Sequence, residues 1–255
     1  MTDDIIAEVA QLLKKSENIL FVTGAGISAD SGLPTYRGIG GLYNETTTED
    51  GVPIETALAG EMLETNPEVT WKYLSQIEKN CRQATFNEGH RIMAEMENHF
   101  SRVWVLTQNI DGFHHQAGSH HVIEIHGNFR KIFCPHCSWR TTINDFSEIT
   151  IPPLCPQCQR IVRPDVVFFG EMLPEHPVQT LISELQKGFD LYVWIGTTCV
   201  FPYIQQPIFE AQALGKPTVE INPGQTEISS LVDFKISLGA AEALSRIWNA
   251  YQRAQ

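Results

Sequence analysis

The chain alternates between segments with a helical spacing of apolar residues and short runs of β-branched and aromatic residues. Near the start, residues 3–16 place one apolar stripe on a predicted helix: Ile5, Ile6, Val9, Leu12 and Leu13. The strand-length runs are NILFVT, RVWVLT, VIEI, DVVFF, LYVWIG and PTVEI. Several of these runs end in Gly, Asn or Thr, and helix-compatible segments separate the runs. This pattern predicts an α/β fold with a mostly parallel, Rossmann-like sheet.

Two segments interrupt this alternation and are predicted to be insertions. The first, residues 42–85, is polar and has no strand run, which favours helices. The second, residues 131–162, holds two close pairs of cysteines. The C-terminal stretch AAEALSRIWNAYQRA has the spacing of an amphipathic helix. We therefore expect one catalytic domain over residues 1–255 that carries a helical insertion and a cysteine-bearing insertion.

Composition limits the function classes. With 255 residues, 42% of them hydrophobic, the chain is long enough to bury a core of its own. Its formal charge of −12 provides no attraction to nucleic acid or to an acidic membrane, whereas a basic partner would be attracted. The N-terminus does not resemble a signal peptide, and no run of apolar residues is long enough for a membrane span. We expect a cytoplasmic protein; the sequence leaves the oligomeric state open.

A glycine-rich stretch follows the first predicted strand. In NILFVTGAGISADSG, residues Gly24, Gly26 and Ala29 have the spacing of a dinucleotide-binding turn, in which glycines let backbone amides approach a pyrophosphate. An ordinary strand-to-helix turn explains the same pattern. Residues 33–50 contain no second strand ending in an acidic residue, so hydride transfer is not supported. In a binding site, Arg37 could pair with a phosphate of the ligand while Tyr36 covers a ring. A surface arginine and a half-buried tyrosine explain the same residues.

The clustered cysteines have the spacing of a metal site. CPHC and CPQC are separated by residues 138–154, which is typical of a four-thiolate zinc ribbon. A closed set of four thiolates favours a structural zinc ion over a catalytic one. A redox role is disfavoured because neither Cys-x-x-Cys pair opens a helix after a strand. The predicted ligands are Cys134, Cys137, Cys155 and Cys158.

Taken in order, seven stretches resemble the sirtuins, the NAD-dependent protein lysine deacylases, in their short bacterial or archaeal form. These stretches are GAGISADSGLPTYRG, TQNID, HGN, the paired Cys-x-x-Cys, RPDVVFFGE, GTTCVFPY and INPG. The resemblance implies a Rossmann-like large domain and a small domain made of the zinc-ribbon and helical insertions. It also implies that NAD and an acyl-lysine protein or peptide bind in the cleft between them.

The resemblance also implies roles for individual residues. His126 would be the general base, since a neutral imidazole accepts a proton near pH 7; without the resemblance, a lone histidine after a strand is more often structural. Gln108, Asn109 and Asp111 would orient the ribose and the nicotinamide amide, with Asn109 as the most direct contributor. The cofactor walls would be Gly24, Ala25, Gly26, Asp30, Tyr36, Arg37, Gln108, Asn109, Ile110, Asp111, Gly196, Thr197, Thr198, Asn222, Pro223, Gly224 and Ala240. The peptide would pair with Val167, Phe168, Phe169 and Gly170.

Four other histidines share the stretch 107–129 with His126, namely His114, His115, His120 and His121. We assign them to solvent or to supporting packing, because adjacent residues on a helix or strand point apart and form poor metal pairs.

The implied reaction transfers the acyl group from lysine to ADP-ribose. The acyl oxygen attacks the nicotinamide ribose, nicotinamide leaves, and His126 then activates a ribose hydroxyl, which yields free lysine and O-acyl-ADP-ribose. Relatives that prefer succinyl or malonyl groups carry a Tyr and, three residues later, an Arg before the N-x-x-H element. Counting back from FNEGH gives Lys72 and Ser75 at these positions, so neutral acyl groups are expected, acetyl first. Thr35 and Tyr36 replace the Asp-Phe common in the family, and the retained ring predicts retained activity.

Three other functions are weighed against deacylation. A protein mono-ADP-ribosyltransferase would use the same cleft with another acceptor, although HGN and VVFFGE favour deacylation. A catalytically silent module that binds NAD and zinc would be expected to lack the base, whereas His126 is present. A Rossmann oxidoreductase is disfavoured by the missing acidic strand end.

Overall fold

The computed structural model describes residues 2–35 and 47–253. In chain order, its strands are β1 (Asn18–Thr23), β2 (Arg102–Thr107), β3 (Val122–Glu124), β4 (Gly127–Phe133), β5 (Arg140–Thr142), β6 (Arg163–Val166), β7 (Leu191–Ile195), β8 (Thr218–Ile221) and β9 (Phe234–Ile236). The helices are α1 (Thr2–Lys14), α2 (Gly26–Ala29), α3 (Ile54–Ala57), α4 (Gly60–Thr65), α5 (Pro67–Arg82), α6 (Glu88–Met96), α7 (Phe113–Gln116), α8 (Glu175–Gln186), α9 (Pro202–Ala213) and α10 (Ala240–Arg253). A short 3₁₀ helix spans Phe146–Glu148.

Six strands form one parallel sheet in the order β3-β2-β1-β7-β8-β9. Helices α1, α6 and α10 contribute to the apolar core on one face, and α8 and α9 contribute to that on the other. Because both faces are covered, β7 and β8 are buried along their whole length. This explains the continuous apolar sequence LYVWI of β7, whereas β8 also buries Glu220, whose carboxylate accepts hydrogen bonds from Thr226 and Ser229. The predicted mostly parallel α/β fold is confirmed.

The order of the strands creates a crevice. From β1 the chain builds outward to β2 and β3 on one side, and β7, β8 and β9 lie on the other. This is the doubly wound order in which ligands bind outside the carboxyl ends of the strands, where the direction of winding reverses. The reversal lies between β1 and β7, so the loops that follow these two strands form the candidate binding edge.

A second sheet, with the order β5-β4-β6, is antiparallel and packs with helices α3 to α5 around a separate apolar core. Trp71 on α5 is fully buried there, donates through Nε1 to the carbonyl of Val162 at 3.2 Å, and packs against Phe146. The run DVVFF, which was predicted to join the parallel sheet, instead overlaps β6 in this second sheet. That part of the prediction was wrong, because an apolar run indicates a buried strand without indicating its sheet.

No helix in the described parts of the chain combines the length and the apolar character that a bilayer crossing requires.

Two buried histidines, His90 and His114, link α6 to the carboxyl end of β1 in the central sheet. The Nδ1 atom of His90 accepts a hydrogen bond from the backbone amide of Asn87 at 3.3 Å, and His114 Nε2 lies 3.0 Å from Thr23 Oγ1 at the end of β1. The two imidazole rings are 4.8 Å apart. Burial lowers the pKa of His90 to about 4 and that of His114 well below its usual 6.5. Both rings are therefore neutral in the fold at neutral pH.

We predict that the free energy of unfolding falls as the pH drops from 6.5 towards 4, because the unfolded chain binds protons that the folded state excludes. The depressed pKa of His90 alone corresponds to about 3 kcal/mol. The variant His90→Met should flatten this dependence, as measured by urea unfolding across the pH range. Acid-sensitive groups away from His90 and His114 act alike in both proteins, so the difference reports on this pair of histidines. The exposed His120→Asn serves as the matched control, and an unchanged slope in His90→Met would contradict the assignment.

Candidate active site

A cleft of about 900 Å³ opens at the carboxyl ends of β1 and β7, between the parallel sheet and the second sheet with its helices. This volume is at the upper end of the range for small-molecule sites. His126 lines the cleft together with the following residues expected to bind the cofactor or the peptide: Gly24, Ala25, Gly26, Asp30, Gln108, Asn109, Ile110, Val167, Phe168, Phe169, Gly170, Gly196, Thr197, Thr198, Asn222, Pro223, Gly224 and Ala240. Asp111 lines a smaller adjoining recess with Ala25, Asn109 and Ile110. Tyr36 and Arg37 lie outside the described residues.

The glycines after β1 are required by the close approach of two loops. A Cβ atom on Gly26 would lie 2.5 Å from the Cα of Gly196, and one on Gly24 would lie 2.8 Å from the Cβ of Thr197. The amide of Gly26 donates to the carbonyl of Gly196 at 2.8 Å, and that of Gly24 donates to the carbonyl of Ile195 at 3.1 Å. These two amides join the loops after β1 and β7. The approach of a pyrophosphate to this turn stays a prediction.

A chain of buried polar side chains forms one end of the cleft. The amide nitrogen of Asn109 donates to the carbonyl of Gly24 and to Ser28 Oγ, both at 3.2 Å. The Ser28 hydroxyl in turn donates to Asp111 Oδ2 at 2.8 Å, and Asp111 Oδ1 accepts from the Phe113 amide at 2.9 Å. Burial raises the pKa of Asp111, while these two hydrogen bonds oppose that change. The chain fixes the orientation of Asn109 beside the cleft.

His126 is held in one tautomer. Its Nδ1 lies 3.0 Å from the backbone carbonyl of Gln108, which only accepts hydrogen bonds, so Nδ1 carries the proton and Nε2 is the basic atom. Burial lowers the pKa of His126, and the bond to Gln108 acts in the opposite direction. The imidazole is therefore neutral at pH 7. The next residue, Gly127, has φ +81°, and a Cβ there would lie 1.9 Å from the Asp165 carbonyl oxygen, which explains the His-Gly pair.

Three predicted cofactor residues also have structural partners. Gln108 Nε2 donates to Thr197 Oγ1 at 2.8 Å and so connects the loops after β2 and β7. The Asn222 amide donates to the carbonyl of Thr197 at 3.2 Å and accepts from the amide of Gly224 at 3.0 Å. Asp30 Oδ2 accepts from the amide of Ala241 at 2.8 Å, at the start of α10. These side chains shape the cleft as well as line it.

The segment expected to bind the peptide is anchored on both sides. The amide of Val167 donates to the carbonyl of His126 at 2.9 Å, and the amide of Phe169 donates to that of Leu58 at 3.0 Å. Arg163 forms two hydrogen bonds with Glu171, of 2.6 and 2.8 Å, and Glu171 accepts from the amide of Phe168 at 2.9 Å. The amides of Val167, Phe168 and Phe169 are therefore already in use. A peptide that pairs with this segment would hydrogen-bond to the segment's remaining backbone groups.

The positions on α5 that face the cleft differ from those counted from the sequence. Lys72 points to Asp50 at 2.7 Å and to Glu49 at 3.3 Å, and Ser75 Oγ donates to the backbone carbonyl of Trp71 at 2.7 Å. Neither residue lines the cleft, so their assignment to the acyl-reading positions was wrong. The α5 side chains that do line the cleft are Leu74 and Ile77, which have the same spacing of three.

The remaining histidines of 107–129 have other partners. His114 is buried against Thr23, whereas His115 Nδ1 lies 3.1 Å from the Ser119 carbonyl. His120 and His121 both contact the carboxylate of Glu97. None of the four is among the described residues that line the cleft. Only His126 of this stretch is placed to act on a ligand in it.

Two residues of the site were not predicted from the sequence: Ser28, which lines the smaller recess, and Tyr203, which lines the cleft. Ser28 lies within the glycine-rich stretch but was not singled out, although its hydroxyl joins Asn109 to Asp111. Tyr203, in GTTCVFPY, places its hydroxyl 2.6 Å from His126 Nε2. Because Tyr203 and His126 are 77 positions apart, only the fold brings them together.

The four predicted zinc ligands converge. Their Sγ atoms all lie within 4.8 Å of one another, with 3.4 Å between Cys134 and Cys158 and 3.5 Å between Cys137 and Cys155. Four thiolates at about 2.3 Å from a tetrahedral zinc ion would have sulfur atoms about 3.8 Å apart. The cluster therefore fits a structural zinc ion that ties together the loops next to β4 and β6.

Comparisons with known proteins agree with this geometry. A model of the Sir2 family matches residues 24–202. "NAD-dependent protein deacylase 2" of Pseudomonas aeruginosa is 48% identical and covers 95% of both chains. A Sir2 homologue solved with NAD superposes with a TM-score of 0.85 at 30% identity, covering 97% of this chain and 94% of the other. A Sir2 variant solved with deacetylated p53 peptide and 3'-O-acetyl-ADP-ribose gives a TM-score of 0.84 at 29% identity, with coverage of 95% and 96%.

We predict that the purified protein contains about one zinc ion per chain. The variant Cys155→Ala should lose the metal and melt at a lower temperature, because a three-thiolate site binds zinc more weakly and the cluster ties loops together. Metal analysis and thermal melting measure both effects. The matched control is Cys81→Ala, which removes a buried cysteine outside the cluster and should keep the metal. A metal-free wild-type protein would contradict the assignment.

Proposed function

The chain belongs to the Sir2 family, and on that premise we propose that it is an NAD-dependent protein lysine deacylase with a preference for acetyl groups. The observation that carries the proposal is the placement of His126 in the cleft, with its basic nitrogen directed away from the Gln108 carbonyl. The deacylase names of relatives such as the Pseudomonas aeruginosa protein support the same activity. Acylated lysines on proteins are the proposed substrates.

The proposed cosubstrate, NAD, supplies a ribose that can be cleaved from nicotinamide and can then accept the acyl group. We assign its binding to the loops after β1, β2, β7 and β8, which line one continuous cleft. Within this set, Asn109 is held by Gly24 and Ser28, and Gln108 by Thr197. Such pre-formed side chains do not have to be ordered when the ligand binds, which favours affinity.

His126 is assigned as the general base. Its Nε2 atom accepts a proton from a ribose hydroxyl, while Nδ1 keeps its own proton and donates it in a hydrogen bond to the Gln108 carbonyl throughout. Because burial lowers its pKa, the base remains unprotonated to a lower pH than a free imidazole would. The hydrogen bond from Nδ1 to the Gln108 carbonyl also orients the imidazole ring. Because Gln108 and Asn109 are adjacent in one loop, this bond places the base relative to Asn109.

The preference for a neutral acyl group rests on the wall formed by α5. Leu74 and Ile77 line the cleft, and neither can pair with a carboxylate. Burying a charged acyl group against them without a partner would cost free energy. Lys72 is held by Asp50 and Glu49 on the surface and does not replace that partner.

We extend the proposal to the cellular location. A zinc site built of four thiolates requires reduced cysteines, which favours the cytoplasm. The same argument agrees with the six free cysteines of the described structure.

The experiment that tests this function measures the products formed from NAD and matched peptides. With an acetyl-lysine peptide, we expect nicotinamide, free lysine and O-acetyl-ADP-ribose in equal amounts, and much less turnover with a succinyl-lysine peptide. Nicotinamide release without any acyl peptide, together with ADP-ribosylated protein, would instead identify a transferase. Absence of release under every condition would identify a silent binding module.

A paired change of the α5 wall tests the acyl preference. We predict that Leu74→Tyr combined with Ile77→Arg raises the ratio of desuccinylation to deacetylation at least about tenfold, because a cation and a hydroxyl then face the acyl carboxylate. Steady-state rates with the two peptides measure this ratio. The control is Lys72→Tyr combined with Ser75→Arg, which makes the same changes at positions that do not line the cleft. An equal shift in both double variants would contradict the assigned wall.

A further inference from the structure

The basic atom of His126 is covered by a tyrosine hydroxyl. Tyr203 lies at the start of α9, and its Oη is 2.6 Å from His126 Nε2. The Tyr203 ring stands edge-on to the imidazole at 5.9 Å and 84°, and stacks on Phe201 at 5.4 Å and 12°. Phe201 is also edge-on to the imidazole, at 5.9 Å and 85°. His126 therefore meets two aromatic rings, both from the segment at the start of α9.

The direction of the hydrogen bond follows from the tautomer. Nδ1 holds the only imidazole proton, because the Gln108 carbonyl can only accept it. Nε2 must then accept, and the Tyr203 hydroxyl donates. The lone pair through which His126 would take up a proton from a substrate is thus already in use.

This contact is not needed to select the tautomer. The Gln108 carbonyl alone places the proton on Nδ1 and leaves Nε2 basic. The Tyr203 hydroxyl therefore adds nothing to the choice of tautomer. By occupying Nε2, it competes with any other hydroxyl that would donate a hydrogen bond to this atom. Competition is therefore the consequence of the contact that bears on function.

The backbone around Tyr203 is tied down. Gln205 Nε2 donates to the Cys199 carbonyl at 2.5 Å, and the indole of Trp194 in β7 donates to the carbonyl of Ile204 at 3.1 Å. Ile204 itself is completely buried. Since the chain on both sides is fixed and Tyr203 lines the cleft, we take rotation of its side chain, and not displacement of α9, as the movement that frees Nε2.

We propose that Tyr203 is a cap on the general base, whose hydroxyl occupies His126 Nε2 in the free protein and is displaced by a ribose hydroxyl when the cosubstrate binds. The inference rests on the proposed function, because it takes His126 as the base. Part of the binding energy is spent on breaking the Tyr203–His126 bond. Removing one neutral hydrogen bond of this kind should change affinity by about two- to tenfold.

The test is the binding of ADP-ribose, measured by titration calorimetry on four full-length proteins: wild type, Tyr203→Phe, His126→Ala and the double variant. Phenylalanine keeps the ring that stacks on Phe201 and removes only the hydroxyl. We expect Tyr203→Phe to bind ADP-ribose about two- to tenfold more tightly in the wild-type background. In the His126→Ala background the same change should have no effect, because the capped atom is gone.

A matched control is Tyr73→Phe, which removes a tyrosine hydroxyl that bonds to Asp50 at 2.5 Å and does not touch the base. It should leave ADP-ribose affinity unchanged. Thermal melting of each variant checks that the fold is retained. The KM for NAD of Tyr203→Phe should change in the same direction as the dissociation constant of ADP-ribose.

Unchanged or weaker binding by Tyr203→Phe would overturn the cap, as would a gain of equal size in the His126→Ala background. No binding by any of the four proteins would overturn both the cap and the NAD site. Because binding is read without turnover, a failed cap is distinguishable from a failed deacylase assignment, which the product assay tests on the wild-type protein.

Discussion

The close contact between Gly26 and Gly196 is the constraint on which the rest of the site depends. A hydrogen bond of 2.8 Å joins the two loops, and a single added carbon on either residue would collide with the backbone of the other. This contact lies directly beyond the paired ends of β1 and β7, where the winding of the sheet reverses. It couples the two loops and thereby places the side chains that they carry relative to one another.

Two chains of hydrogen bonds start from these loops. One path runs from Gly24 through Asn109 and Ser28 to Asp111, and the other runs from Thr197 through Gln108 to His126. Both paths pass through the loop after β2, which joins the base to the residues assigned to the ribose. Against this fixed background, the side chain of Tyr203 can turn away from the base, so the cap adds a local adjustment to an otherwise pre-formed site.

The central sheet could be predicted from the sequence because a strand buried on both faces has apolar side chains on both faces. It therefore stands out as an apolar run, such as LYVWIG for β7. Strands β4, β5 and β9 were not predicted. Strands β5 and β9 have only three residues each, and β4 is interrupted by the charged Arg130 and Lys131. The convergence of the four cysteines could be predicted from spacing alone, since each ligand pair is local in sequence. The cleft-lining positions of α5 were misplaced because counting back along the helix ignores which of its faces meets the cleft. Tyr203 was missed because its contact with His126 exists only in three dimensions.

The central claim of the account is that His126 acts on a ribose hydroxyl after nicotinamide has left. The most direct test compares two rates in the variant His126→Ala: exchange of labelled nicotinamide into NAD in the presence of an acetyl-lysine peptide, and formation of free lysine. The account predicts that exchange persists while lysine formation falls at least about a hundredfold, as expected for the loss of a general base. Equal loss of both rates would contradict it, since His126 would then be required for nicotinamide release itself. Unchanged lysine formation would remove His126 from the chemistry altogether.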